Sequence, residues 1–313
     1  MDLPVAVVFS FRCFSLTRTA AVPAHRLGDR HRAPIGHGGG GREPAPWQSP
    51  LSVSIEAKDG LLRVQLNRPE RKNALDMATI RSIIEELERA ATDDALRVVL
   101  LCGAGADFCS GADWVSTNSA TGGRRPRTGS IQRRVPLQAH RLIELLTQMQ
   151  LPVVCAVRGW AAGLGFQMAL AADFTIASEE ACFWEPFLER GFSPDTGSTW
   201  VLPRLVGIAR AKELLLLGRK LSGREAADWG LIMQAVPDQD LDETVESIVE
   251  RLAHAPTVAF GLAKRGLHRA LETGLSEAME SEAIALELTS RSPDFKEGLA
   301  AFSEKRPPRF EGT

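Results

Sequence analysis

Tyrosine is absent from the 313-residue chain, so no phenolic side chain takes part in whatever chemistry it performs. Long apolar runs are missing too: nothing approaches the ~18 consecutive apolar residues of a membrane-spanning helix. Cysteine is scarce and irregular. Cys13, Cys102, Cys109, Cys155 and Cys182 are odd in number and lack C-x-x-C spacing, which excludes a disulfide framework or a zinc site of that type. That usage fits a reducing, cytoplasmic compartment. An excess of one charge is also lacking. The 37 Lys and Arg against 39 Asp and Glu leave a net −2, which argues against nucleic acid as the main partner. No His, Cys or carboxylate cluster has metal-ligand spacing, and His254 and His268 stand alone on predicted helices. What is present is ordinary: 44% hydrophobic and 24% charged residues, enough to build a packed core over one large domain or two smaller ones.

The pattern changes near Trp47. Before it come scattered Arg and His, then His37-Gly38-Gly39-Gly40-Gly41 and Pro44-Ala45-Pro46. Such sequence buries too little apolar surface to offset its ordering entropy, so residues 1–47 read as a disordered leader. After it, Ser52–Ala57 and Leu61–Leu66 alternate as two strands, and Asp76 caps an amphipathic helix reaching about Ala91. Arg97–Cys102 reads as a buried strand. A helix near Leu137–Met149 follows, then a strand at Pro152–Val157, a helix at Gly163–Ala172 and a strand at Phe174–Ala177. The remainder is helical, at Arg224–Gly230, Leu241–Ala253, Thr257–Leu271 and Ser276–Ser290. The expectation is an α/β core over 48–220 and a helical region over 221–313. Thr117–Arg134, with five Arg among Gly and Pro, reads as a solvated loop or, alternatively, as a segment that closes over a polyanion.

Two glycine-containing turns leave consecutive strands. One runs from Gly103 to Trp114 and contains Phe108-Cys109-Ser110-Gly111-Ala112-Asp113. The other is Gly159-Trp160-Ala161-Ala162-Gly163-Leu164-Gly165 and opens a helix. Neither is a phosphate-binding P-loop or a dinucleotide fingerprint. Two such turns at one cleft do bring backbone N–H donors together, which is an oxyanion hole in outline.

With Asn67-Arg68-Pro69-Glu70-Arg71-Lys72-Asn73-Ala74-Leu75, Leu202-Pro203-Arg204-Leu205-Val206-Gly207 and Ala301-Phe302-Ser303-Glu304-Lys305-Arg306, these turns resemble the enoyl-CoA hydratase/isomerase (crotonase) family over residues 51–313. The pattern is most similar to ring-epoxyphenylacetyl-CoA isomerase-like members. The resemblance implies a crotonase fold: a spiral of ββα units with a C-terminal α-helical region, assembled as homotrimers or dimers of trimers. It also implies an acyl-CoA thioester substrate, as in fatty acid metabolism, and no separate cofactor, because coenzyme A is part of that substrate.

The site residues implied by the resemblance are specific. The N–H groups of Ala112 and Leu164 would receive the charge of a thioester enolate. Lys72, Ala74, Asp113 and Trp114 would contact coenzyme A or line its mouth, and Phe302 and Lys305 would reach that of a neighbouring subunit. A lysine in this pattern also reads as a solvated surface charge, and Asp113 as a cap. The two Glu of the family's hydratases are replaced by Gln167 and Phe187, neither of which titrates. Glu185 and Glu189 flank Phe187 and would share its face in an extended segment. Asp195 remains: it reads both as the N-cap of the helix that follows and as a catalytic carboxylate. Trp184 and Trp200 read as core or as walls of an acyl pocket. One carboxylate beside an oxyanion hole suits double-bond isomerisation. Hydration, non-catalytic acyl-CoA binding and RNA binding through the Arg124–Arg134 stretch are the alternatives.

Overall fold

The computed structural model describes residues 52–113 and 127–313. The leader expected over 1–47, Trp114, Arg124 and Arg125 lie outside the described residues.

The alternating segments pair as expected. β1 (Val53–Lys58) and β2 (Leu61–Leu66) are antiparallel, joined at Asp59 and Gly60, whose φ values of 49° and 80° make the tight turn. Asp76 accepts from the Thr79 N–H at 2.8 Å and starts α1 (Met77–Ala90), which buries Ile80, Ile83, Ile84 and Leu87 along one stripe. β3 (Val98–Gly103), β4 (Val153–Val157), β6 (Phe174–Ser178) and β9 (Gln234–Val236) then continue the sheet in parallel, in the order β1-β2-β3-β4-β6-β9.

Strand parity divides the core. Val99 and Leu101 face the larger cluster, which includes α1 and α3 (Ala139–Gln148). Val98 and Leu100 face the opposite way, onto Leu241, Val245, Val249 and Leu252 of α7 (Leu241–Ala253). A parallel sheet covered on both faces explains why β3 and β4 read as continuous apolar runs rather than alternating ones.

Several elements depart from the expectations. Ser130–Arg134, inside the segment expected to be a loop, forms the short helix α2, started by Gly129 at φ 80°. β5 (Trp160–Ala162), β7 (Cys182–Trp184) and β8 (Leu221–Ser222) make a second, three-stranded sheet. α4 (Leu164–Ala171) leaves β5 directly. α5 (Ser198–Leu217) is broken at Gly207, where φ is 76° and ψ is 162°. β8 and β9 fall beyond residue 220, on either side of α6 (Gly223–Asp228), and complete the two sheets.

Beyond α7 come α8 (Thr257–Ala270), α9 (Leu275–Thr289) and α10 (Pro293–Glu304). Lys264 ties α8 to the core. Its buried ammonium donates to the Leu146 carbonyl at 2.9 Å and the Asp173 carboxylate at 2.7 Å. Asp173 in turn accepts from the Val153 N–H at 2.8 Å. α9 buries no residue, and Leu267, Leu271, Leu275, Met279, Ile284 and Leu288 are exposed. Among the described residues no helix is long and apolar enough to cross a membrane.

Candidate active site

The segment around Asn73 is anchored first. The Asn73 amide donates to the carbonyls of Ala104 (3.0 Å) and Asp107 (2.6 Å), while its oxygen accepts from the Arg68 N–H at 2.8 Å. This seats residues 67–75 against the loop that leaves β3. Leu75 then forms a parallel bridge with Ala112: its N–H donates to Gly111 at 2.8 Å and its carbonyl accepts from Asp113 at 2.8 Å. From the other side, Cys109 donates to Trp160 at 2.7 Å and its carbonyl accepts from Ala162 at 2.9 Å. The Gly111–Ala112 peptide is therefore clamped between two strand-like neighbours.

Small residues make the fit possible. A Cβ on Gly165, in the first turn of α4, would stand 2.5 Å from the Cys109 carbonyl oxygen, so no larger residue fits there. Gly111 has φ 94°, and a Cβ on it would lie 3.5 Å from the Leu164 nitrogen. The two turns thus bring the amides of Ala112 and Leu164 to one place. Neither N–H donates to a protein acceptor among the described residues. Leu164 is the first residue of α4 and is not among the residues of positive φ, so its side chain imposes no strain and its N–H carries the positive end of the helix.

Ala112, Leu164 and Asp195 all line one cavity of about 810 Å³, its open mouth included. Phe187 and Phe192 form an edge-to-face pair in its wall, with centroids 5.5 Å apart. Ile131 and Arg134 of α2 and Arg190 also line it. Of these, Ile131 and Arg134 lie in a segment that the sequence marked for a ligand, the Arg-rich stretch.

The N-cap reading of Asp195 does not hold. α5 starts at Ser198 with Gly197 as its cap, and no side chain caps it. The Asp195 main-chain carbonyl closes the turn instead, accepting from the Ser198 N–H at 3.2 Å and the Ser198 hydroxyl at 2.8 Å. The carboxylate accepts from the Thr196 hydroxyl at 3.2 Å and from its own backbone N–H, and Asp195 lines the cavity. Burial pushes the carboxyl above its ordinary value, against the weaker pull of that hydroxyl and of His140 on α3.

Gln167 and Phe187 are both buried, and only Phe187 lines the cavity. The segment is not extended, so Glu185, Phe187 and Glu189 do not share one face. Phe187 has helical angles, and residues Leu188–Arg190 make a single 3-10 turn. Glu189 is consequently exposed and directed toward Gly218, whereas Glu185 is buried and accepts a hydrogen bond from the Gln167 amide.

The residues assigned to coenzyme A are not gathered in the cavity. Lys72 is exposed, 4.0 Å from the Asp107 carboxylate and 5.2 Å from the Trp160 ring centroid. The Ala74 carbonyl accepts from the Arg68 guanidinium at 3.0 Å. Asp113 is buried and pairs with Arg68 at 3.5 Å, so it faces inward rather than toward the mouth. Phe302, at 86% exposure, and Lys305 stand at the end of α10. Trp184 packs on Trp160 at 5.8 Å and Trp200 lies under Arg204 at 4.0 Å; neither lines the cavity.

Comparison with known proteins gives the family. Residues 56–313 match the family model described as enoyl-CoA hydratase/isomerase. The chain is 39% identical to 1,2-epoxyphenylacetyl-CoA isomerase of Escherichia coli (strain K12) over 261 residues, 83% of this chain and 98% of that protein. It is 38% identical to a probable enoyl-CoA hydratase of Rhodobacter capsulatus over the same proportions. The crystal structure of enoyl-CoA hydratase from Bacillus anthracis superposes with a TM-score of 0.77 at 32% identity, covering 84% of this chain and all of that one. The fold is the crotonase fold, and the chain belongs to the enoyl-CoA hydratase/isomerase family.

Proposed function

We propose that this protein isomerises the double bond of an enoyl-CoA thioester, with Asp195 as the one proton carrier. The observation that carries the reading is that the Asp195 carboxylate, released from any capping duty, lines the same cavity as the unengaged amides of Ala112 and Leu164. Asp195 takes a proton from C2 of a 3-enoyl thioester. The C–H electron pair moves into the conjugated system, and the negative charge comes to rest on the thioester oxygen between the two amides. The carboxylic acid then returns the proton to C4, leaving the 2-enoyl isomer. Each backbone donor is worth about 3 kcal/mol in the transition state. The elevated Asp195 pKa supports the role, because a more basic carboxylate is the better proton acceptor.

Hydration is the weaker reading. It asks for two groups to hold and split water, and the positions that supply them in family hydratases carry Gln167 and Phe187. Coenzyme A enters as part of the substrate, with Lys72, Ala74 and Trp114 on one subunit and Phe302 and Lys305 of a neighbouring copy beside it, while Asp113 holds Arg68 instead. The exposed apolar residues of α8 and α9 support assembly with further copies, as a homotrimer or a dimer of trimers. We assign the protein to the cytoplasm on its cysteine usage.

The test is to incubate the purified protein with a 3-enoyl-CoA in D₂O. Conjugation is followed by ultraviolet absorbance and deuterium uptake by mass, with Asp195→Asn alongside. Conjugation by the parent and not by the variant is the expected result. An unreacted thioester that still binds tightly would overturn it.

A further inference from the structure

Glu185 is a carboxyl group in an unusual place. It is 1% exposed, in the residue after β7, and one oxygen accepts from the amide of Gln167, itself 1% exposed on the first turn of α4. The other oxygen is buried with no hydrogen-bond partner. Just before it, the Trp184 carbonyl accepts from the Gly163 N–H at 2.9 Å; just after it, Pro186 and Phe187 line the cavity. The Gln167–Glu185 contact therefore joins the helix that presents the Leu164 amide to the strand that carries the opposite wall.

The charged surroundings decide which form Glu185 takes. From the segment before α5, the Asp195 charge acts on it unfavourably. From α3, His140 acts on Asp195, and α4 contributes only the neutral Gln167. No Lys, Arg or His pairs with Glu185 among the described residues. A buried carboxylate with one hydrogen bond, no cation and a second carboxylate nearby is far more costly than a neutral acid in that place, whose one unpartnered O–H carries no charge.

We propose that Glu185 is a neutral acid whose carbonyl oxygen is held by Gln167, and that this uncharged pair positions the Leu164 amide and Asp195 while leaving Asp195 the sole carboxylate charge of the site. Burial, which drives the Glu185 carboxyl well above the usual carboxylate range, points the same way. The contribution to rate rests on the isomerase reading; the charge state of Glu185 does not.

The test uses Glu185→Gln, Glu185→Leu and Gln167→Leu in the full chain. Infrared spectra at neutral pH show a protonated carboxylic acid band in the parent that Glu185→Gln removes; this readout needs no turnover. With a 3-enoyl-CoA, Glu185→Gln keeps kcat within about threefold and leaves the acid limb of the pH profile in place, because it replaces one neutral group by another. Glu185→Leu and Gln167→Leu each lower kcat about tenfold or more with KM little changed, and combining them costs no more than either alone. No such band in the parent, a band of unchanged intensity in Glu185→Gln, or an acid limb that moves down by more than about half a pH unit would mean that Glu185 is charged and overturn the proposal. Unchanged kcat in both leucine variants would overturn its positioning part. A parent that turns over no enoyl-CoA sinks the isomerase reading alone, since the infrared result still decides the state of Glu185.

Discussion

The main-chain carbonyl of Asp195 accepts two hydrogen bonds from Ser198, from the N–H at 3.2 Å and from the hydroxyl at 2.8 Å. The turn into α5 is closed by backbone, so the carboxylate is free of structural duty. Asp195→Asn is accordingly expected to fold as the parent does, bind the thioester with similar affinity and lose isomerisation by about a thousandfold. Single-turnover kinetics beside a binding titration separate the two effects.

As the proposed base, the same residue is expected to set the acid limb of activity. Burial holds Asp195 above its ordinary value of 3.8. The base acts only when ionised, so kcat/KM falls tenfold per unit of pH below the elevated value and is flat above it. Stability runs in the opposite sense. A carboxyl whose folded pKa is raised costs stability at pH values above it, and that cost disappears as pH falls through it. Asp195→Asn should therefore be more stable than the parent at neutral pH, with the difference vanishing in acid. Urea denaturation at several pH values checks the sign.

Leu164 offers a way to remove a backbone donor. It is the first residue of α4, where proline is tolerated, and it follows Gly163, whose φ of 51° a glycine adopts freely. Leu164→Pro is expected to leave the thermal midpoint within a few degrees and lower kcat by about a hundredfold to a thousandfold. A folded variant of undiminished kcat would remove the Leu164 amide from the mechanism.

Lys264 and Asp173 form a buried pair, with side chains 4% and 12% exposed. Lys264→Met leaves Asp173 buried without its cation and removes the donor to the Leu146 carbonyl. Its expected cost is about 3–5 kcal/mol of folding stability at fixed protein concentration. Activity per folded molecule should change little, because the pair lies outside the cavity.

Much of this architecture is legible in the sequence where burial imposes a period. Leu61–Leu66 and Leu241–Ala253 were bounded to the residue, because their apolar spacing is that of a half-buried strand and of a helix on a sheet. The short strands at Trp160, Cys182 and Leu221 left no such trace. They are two or three residues long, and pairing with distant partners defines them. Ala112 and Leu164 came from resemblance to known motifs, and the cavity unites them with Asp195. The bond between Gln167 and Glu185, 18 residues apart, depends on how the chain turns after β7, which no periodic spacing in the sequence reveals. Asp195 stayed ambiguous because the same short carboxylate suits a cap and a base, and only the geometry at Ser198 distinguishes them.

The clamping of Gly111–Ala112 has a consequence for how the protein comes to be active. Leu75, Cys109, Ala161 and Asp195 belong to segments spread over more than a third of the chain, and the Ala112 amide is aimed only once Leu75 and Ala161 have made their bridges. A partly folded form with the first hairpin and α1 in place would carry every residue of the hole and no hole. In refolding from denaturant, catalytic activity should therefore return with the slowest phase, after helical signal has recovered, and serve as the readout of complete assembly.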